Sequence, residues 1–435
     1  MIEWRNIQIK DFCCLNPKTS ISKGSIVKKI GMEKLTPFCR KIGGFTEESY
    51  SSGAKFQKGD TLLARITPCL ENGKTAFVDI LEEGEIAFGS TEFIVLRKKD
   101  GVSDALFLYY LAISPDFRER AISLMNGTSG RQRIEATPLG EEFFLFPPLE
   151  IQRKIAGILG ALDDKIEVLR EQNKTLEQMA QAVFQSWFVD FDIVRAKAAG
   201  TPTEDICKKY HITPDLCALF PSAFTPDYLP QGWKLGKIED LCSDIQSGGT
   251  PKRNIKEYWY PPTIPWLSSG EVNFPIIIHT KEKISEEGLR NSSAKIWKKY
   301  TTVVAMYGAT AGESTLLGID VSANQACCAL IPYKHTIYYV YLLAKANQNT
   351  YALAANGAAQ QNLNKTKVSE LKVIIPDVNI LIRFQNLVSA FFEKIIENSK
   401  QIRTLEQTRD TLLPQLLGGK LDVENVSLPS VNDEV

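Results

Sequence analysis

The chain repeats itself, and this constrains its fold more than any single motif does. Near the start stand Trp4-Arg5 and Ile9-Lys10-Asp11-Phe12-Cys13; a shift of 229 residues leads to Trp233-Lys234 and Ile238-Glu239-Asp240-Leu241-Cys242. The same shift carries Pro147 to Pro376, Ile151 to Ile380, Lys165-Ile166 to Lys394-Ile395, and Lys174-Thr175-Leu176-Glu177-Gln178 to Arg403-Thr404-Leu405-Glu406-Gln407. Between these anchors the match weakens and needs gaps. Thr61-Leu62-Leu63-Ala64 resembles Thr302-Val303-Val304-Ala305 at a shift of 241, and Thr91-Glu92-Phe93 matches Asn324-Gln325-Ala326 at 233. A period this long is no solenoid repeat. The 435 residues hold two whole domains with similar scaffolds and different surfaces, related by a pseudo-two-fold.

Each half ends in a long heptad segment. The first has Ile155, Leu159, Leu162, Ile166, Leu169, Asn173 and Leu176, and continues through Ala180, Val183 and Trp187. The second has Phe384, Val388, Phe391, Ile395, Asn398, Ile402 and Leu405, then Arg409, Leu412 and Leu416. Steps of four and three define a narrow apolar stripe. Pro147-Pro148 and Pro376 precede the segments, and Gly418-Gly419 closes the second, as helix breakers and caps should. A helix over 155–187 is about 48 Å long, and a stripe that narrow needs a partner helix, for which the other copy is the obvious choice. Packing of each helix on its own domain is the competing reading. Asn173 and Asn398 are expected in the seams at different heptad levels, where a buried Asn sets register.

The resulting plan is α+β: a globular domain over 1–148, a long helix over 149–192, a linker over 193–232, a second globular domain over 233–376, a second long helix over 377–417 and a polar tail over 418–435. Linker and tail are read as a connection without elements of its own and a frayed end. In the first middle, 56–78 reads as strand, turn, strand, and 105–125 as helical. The loops are rich in short polar residues that suit phosphate and base-edge contacts. The candidates in the first half are Thr67, Asn72, Lys74, Thr128, Ser129, Arg131, Gln132 and Arg133. Those in the second are Ser247, Gly249, Thr250, Lys252, Ser268, Ser269, Tyr307, Thr310, Asn324, Gln325, Gln360, Gln361 and Asn362. Gly127-Thr128-Ser129-Gly130-Arg131-Gln132-Arg133 and Gly357-Ala358-Ala359-Gln360-Gln361-Asn362 occupy matching places before the two long helices. Arg reads guanine bidentately and Gln or Asn reads adenine; solvated turns are the plainer alternative.

Charge excludes a bulk polycation: Lys plus Arg and Asp plus Glu are each 51. Residues 233–377 hold 16 Lys and Arg against 12 Asp and Glu, a net of +4, whereas 1–150 hold 20 of each. The first half must therefore concentrate its cations, with Lys55, Lys58 and Arg65 as further candidates. The nine cysteines form no C-x-x-C pair, so reduced thiols are expected rather than a zinc site or a disulfide framework. A basic-apolar leader and a bilayer-length apolar run are both missing, so a cytoplasmic chain with no membrane contact is expected. No nucleotide-binding glycine loop, H-E-x-x-H or Asn/Asp-Pro-Pro-Tyr/Phe tetrapeptide occurs, and the chain is expected to be non-catalytic, to hold no metal and to bind no cofactor itself.

Some stretches are familiar. Phe184-Gln185-Ser186-Trp187-Phe188-Val189-Asp190-Phe191-Asp192, Val194-Arg195-Ala196-Lys197, Phe220-Pro221-Ser222-Ala223-Phe224 and Leu229-Pro230-Gln231-Gly232-Trp233 resemble the first conserved helix of type I restriction–modification specificity subunits and its link into the second half. Ser247-Gly248-Gly249-Thr250-Pro251 with Ile264-Pro265-Trp266 is similar to one type of target recognition domain in that family. The resemblance implies two globular target recognition domains joined by two long antiparallel helices. It further implies double-stranded DNA as ligand, one part of a bipartite site being read by each half. The helices would act as a ruler, since a rod of about 48 Å compares with roughly 34–36 Å for one turn of DNA. Two methylation subunits and the restriction and motor subunits are implied as partners in host defence, carrying S-adenosylmethionine, ATP and Mg2+. Three other readings stand beside it: the specificity subunit of a related fused restriction–methylation enzyme, a non-DNA coiled-coil adaptor, and a free-standing methyltransferase. The divergent, loop-rich middles speak against the adaptor, and the missing motifs against the methyltransferase.

Overall fold

The computed structural model describes residues 4–128, 130–355, 363–424 and 426. The chain divides into two compact units, Met1–Val168 with Ile402–Val435, and Leu169–Gln401. In the first unit an antiparallel sheet has the order Cys13–Leu15, Phe93–Lys98, Thr61–Ala64, Thr75–Phe77. A second sheet has the order Thr46–Ser49, Ile26–Ile30, Ile86–Gly89, Ala54–Gln57. Thr61–Ala64 is buried at every residue because its alternating side chains feed two cores. Leu63 joins Ile9, Phe12 and Ile94, while Leu62 joins Ile30, Phe56 and Val95. Residues 105–125 form two helices, Ala105–Ile113 and Pro115–Ser123. The break falls at Ser114, whose Oγ accepts from Phe117 N, with Pro115 opening the next helix.

The second unit repeats the first sheet. Its strand order is Cys242–Ser247, Cys327–Pro332, Thr302–Ala305, Ser314–Leu317, with Ile276–Ile277 added at the edge. Register is shared too. Thr61 stands opposite Leu96 and Ala64 opposite Phe93; Thr302 stands opposite Leu330 and Ala305 opposite Cys327. Arg5 pairs with Phe146 and Lys234 with Ile375, both ends moved by the same 229 residues. What differs is the second sheet: in the second unit it has three strands in the order Glu282–Ile284, Ile264–Leu267, Ser322–Ala323.

The long helices span Leu149–Phe184, continued by a π-helical turn Gln185–Val189, and Val378–Leu417. Asp377 Oδ1 accepts from Asn379 N at 2.8 Å at the start of the second. At its end Gly419 takes φ +66°, with Lys420 N donating to Gln415 O at 2.9 Å and Gly419 N to Leu416 O at 3.3 Å, the paired bonds of a Schellman cap.

Two expectations for the connecting segments are corrected. The linker is not free of elements: it carries helices Asp192–Ala198, Thr203–Tyr210 and Pro214–Leu219. Pro202 and Pro214 stand at helix starts, where a missing N–H costs nothing. Ile193, Val194, Ile206, Cys217 and Phe220 are buried in the second unit's core. The tail is not frayed where it is described, since Val423 is buried with Leu413 and Leu416 and Glu424 O accepts from Lys154 Nζ at 2.5 Å.

Within each unit the two long helices pack antiparallel. Ile155 and Leu159 share one core with Leu413 and Leu416 in the first. In the second, Phe184 and Ala180 share one with Phe384, Val388 and Ile395. Each helix also packs on its own globule, so the two readings of the stripe are both realised. Among the expected seam residues Ile155, Leu159, Ile166, Leu169, Phe384, Val388, Ile395 and Asn398 are buried, whereas Leu162, Asn173, Leu176, Phe391, Ile402 and Leu405 are half-buried. At one level in each half the buried residue is the next one along: Asp163 rather than Leu162, and Phe392 rather than Phe391. A helix of 3.6 residues per turn drifts off a 3.5 repeat, and these side chains turn toward the aromatic helix of their own globule. Asp163 Oδ2 accepts from Tyr110 Oη at 2.7 Å; Phe392 stacks on Tyr338 at 4.4 Å between centroids.

The asparagines are also corrected: they meet at one level, Asn398 Nδ2 donating to Asn173 Oδ1 at 3.0 Å. In an antiparallel pair one number rises as the other falls, so heptads counted from each helix's own start do not give the facing level. Nor is Arg409 an apolar-stripe substitute. Its Nη1 donates to Asp163 Oδ1 at 2.7 Å, and both side chains are about 95% buried. Burial opposes the charge on Arg409, but Asp163 and Asp410 outweigh it and hold the guanidinium above its ordinary pKa. Burial and the neighbouring Asp163 push the Tyr110 hydroxyl far up, so it stays a donor to the carboxylate.

Arg409→Met leaves Asp163 buried beside one donor, and is expected to lower unfolding free energy by about 3–5 kcal/mol in urea titrations. Asp163→Leu together with Arg409→Met is expected to cost less than the two single changes added; strict additivity would mean that the groups do not interact. No disulfide joins any two of the nine cysteines. Burial pushes the Cys13, Cys242 and Cys328 thiols up to about 12, so at pH 8 they remain protonated. A thiol reagent at that pH is expected to label half-buried Cys14, Cys69 and Cys207 and spare those three, as read by peptide mass mapping.

Candidate nucleic-acid interface

In the first unit the turn between Thr61–Ala64 and Thr75–Phe77 meets the loop before the long helix. Asn126 and Arg133 exchange backbone hydrogen bonds at 2.9 Å each, closing that loop, and Thr67 N donates to Gln132 O at 3.0 Å. Arg118 Nη2 donates to Glu71 O at 2.9 Å and steadies the turn. Thr67, Asn72, Thr128, Arg131, Gln132 and Arg133 are thereby brought to one place, while Ser129 lies outside the described residues. Their side chains differ in what is left for a ligand. Arg133 is held by Glu92, Nε and Nη2 donating at 2.8–3.0 Å, and Glu92 raises its pKa. Lys74 Nζ donates to Met32 O at 2.9 Å, and Arg65 pairs with Glu135. Asn72, Thr128 and Arg131 are exposed; no ion pair or side-chain hydrogen bond joins Arg131 among the described residues.

In the second unit four loops are tied together at one end of the strands. Gly249 N donates to Ala323 O at 2.8 Å and Asn324 N to Leu267 O at 3.0 Å. Thr310 Oγ1 donates to Ser269 O at 2.9 Å, and Thr250 bonds Gln325. The glycines are there for space: a Cβ at Gly248 would run into Asn324 O, and one at Gly249 into Ser293 Oγ. Ser268 forms a capping box with Glu271, its Oγ donating to Glu271 Oε2 at 2.7 Å. Lys252 and Gln325 are exposed, and Ser247, Ser269, Tyr307 and Thr310 half-buried. Gln360, Gln361 and Asn362 lie outside the described residues.

Two features escaped sequence reasoning. One is an open cleft of about 650 Å³ in the first unit, lined by Asn16, Lys18, Thr19, Ser20, Lys55, Arg65 and Thr91. Its first four residues follow strand Cys13–Leu15, where the second half offers no close match; Lys55 and Arg65 were the signal available, as isolated cations in a polar loop region. The other is Arg253, whose guanidinium lies 3.8 Å from the Trp259 ring centroid and 4.9 Å from that of Trp266. Glu282 holds it at 2.5 and 2.9 Å and raises its pKa. Among the described residues no group of His, Cys, Asp and Glu could hold a metal ion, and no helix is long and apolar enough to cross a membrane.

The family model described as the type I restriction modification DNA specificity domain matches residues 1–178 and again 230–407. The type I restriction enzyme HindI specificity subunit of Haemophilus influenzae is 30% identical over 406 residues, covering 84% of this chain and 87% of that protein. The MjaIX specificity subunit of Methanocaldococcus jannaschii is 26% identical over 334 residues, covering 75% and 71%. Among solved structures, the S subunit of a type I restriction–modification system from M. genitalium shares the fold, with a TM-score of 0.54, 17% identity, and coverage of 95% and 96%. The doubled match falls on the two halves found from the sequence repeat, and the chain belongs to the type I restriction–modification DNA specificity family.

Proposed function

We propose that each half of this chain reads one part of a bipartite site in double-stranded DNA, and that the paired long helices fix the unread spacer and dock two methylation subunits. One observation carries the reading: both halves keep the same sheet order and register but replace the second sheet and the loops around it. A scaffold repeated strand for strand with exchanged loops suits two readers of one design with different sequence preferences. The chain itself does no chemistry in this reading. S-adenosylmethionine sits on the methylation subunits, ATP and Mg2+ on the restriction and motor subunits, and the assembly works in the cytoplasm.

Mapping methylated adenines in DNA exposed to the assembled complex tests the core of the proposal. Two short invariant blocks separated by unread base pairs are expected; one continuous block would overturn the ruler. Removing one heptad from each long helix is expected to change the spacer and leave both half-sites as they were, whereas altered base preference would contradict the division of labour. Arg131→Ala is expected to weaken discrimination at one half-site by about 1–3 kcal/mol. If loss is instead uniform across sequences, with a shallower salt dependence, Arg131 is a phosphate contact. Arg133→Ala first removes the Glu92 pair, so its effect is expected in loop stability before base preference.

A further inference from the structure

The two-fold repeat of the chain is broken where it matters for pairing. In the first unit, Asp163 of the first long helix is buried between Tyr110 of its own globule and Arg409 of the second long helix. The 229-residue shift carries Asp163 to Phe392, and carries Arg409 back to Ala180. At the corresponding level of the second unit, Phe392 is buried on Tyr338 and Tyr341 of its own globule, with Ala180 fully buried in the same core. One level is an acid and a base; its pseudo-symmetric twin is a large ring and a methyl group.

We propose that this broken layer makes helix pairing heterotypic, so that the first long helix accepts the second and rejects the like helix of another copy of the chain. If two first helices paired antiparallel by the same geometry, Asp163 of each would face Ala180 of the other. Two carboxylates would then be buried without their guanidinium. If two second helices paired, Arg409 would face Phe392, and two guanidinium groups would be buried against rings. The first arrangement leaves each buried carboxylate without its cation, and the second leaves each guanidinium with only the exposed Asp410 of its own helix; breaking a buried pair in this way is strongly destabilising. The asparagine layer acts in the same sense. Asn173 meets Asn398, but their shifted counterparts are Ile402 and Leu169, so like pairing sets amide against aliphatic side chains. A buried polar group that chooses the partner in a helical seam is the best-attested use of such groups.

The experiment uses the full chain carrying Gln172→Cys, a position that would lie at the dyad of a first-helix pair and therefore reports like pairing through an interchain disulfide at position 172. The protein is unfolded, refolded at micromolar concentration, mildly oxidised, and the linked peptide quantified by mass spectrometry. With Asp163 and Arg409 present, the linked fraction is expected to stay at background. Adding Asp163→Phe with Arg409→Ala, which turns the layer into a copy of its twin, is expected to raise it at least tenfold. Asp163→Asn removes the charge while keeping the shape, and is expected to raise it several-fold should the double variant fail to fold. Reversing the pair, Asp163→Arg with Arg409→Asp, is expected to leave it at background. Equal linking in the parent, in Asp163→Asn and in any folded double variant would overturn the proposal, as would abundant linking in the parent. DNA reading is not part of the measurement, so its failure would not be mistaken for failure of the functional proposal.

Discussion

A helix of forty residues, as in Val378–Leu417, with an apolar stripe along it cannot remain a single element in water. Each fully buried Leu, Ile or Phe contributes about 1.5–3 kcal/mol relative to exposure, and helical propensity alone does not hold such a length in place. Here the stripe is covered from two directions. Leu159 and Phe384 are fully buried because a globule and a second helix close on them together. Within each unit, the same contacts that stabilise the helix segments therefore also attach that unit's globule to them.

That arrangement explains which parts of the duplicated sequence are kept. The antiparallel strand pairs that hold chain ends together, Arg5 with Phe146 and Lys234 with Ile375, sit next to the helix starts and obey one shift. The sheet pairs Thr61 with Leu96 and Thr302 with Leu330 obey shifts that differ by gaps but keep the register, since a one-residue slip would turn every core side chain outward. Beyond those strands the constraint ends. The four-stranded sheet around Ile26–Ile30 and the three-stranded one around Ile264–Leu267 fill the same role with unrelated sequences, and the loops they carry are free to differ.

The period, the heptads and the strand Thr61–Ala64 were legible because each is a local pattern repeated twice. What was not legible depended on partners far away in sequence. Asp163 reads as a polar residue beside an apolar position until Arg409, 246 residues later, is seen to face it. The prolines of 193–232 read as breakers, yet Pro214 starts a helix because Cys217 and Phe220 have the second unit's core to enter. In the loops, residue type suggested contact chemistry without revealing prior engagement. Lys74 and Arg133 looked as available as Arg131, but a carbonyl and a carboxylate inside the domain already hold them.

The distinction between engaged and open side chains separates two jobs that composition merges. A cation held by Glu92 or by Met32 O fixes the shape of a loop, and its removal changes where neighbours point. An exposed one such as Lys252 or Arg131 has no internal geometry to maintain. Recognition needs both: a base edge is read to within a few tenths of an ångström only if the loop carrying the reader is rigid before DNA arrives, otherwise ordering that loop reduces the affinity. The hydrogen bonds tying Gly249 to Ala323 and Asn324 to Leu267 supply that rigidity in the second half without using a single side-chain donor. These backbone bonds can therefore remain constant while exposed side chains around them, such as Lys252, change without disturbing the scaffold.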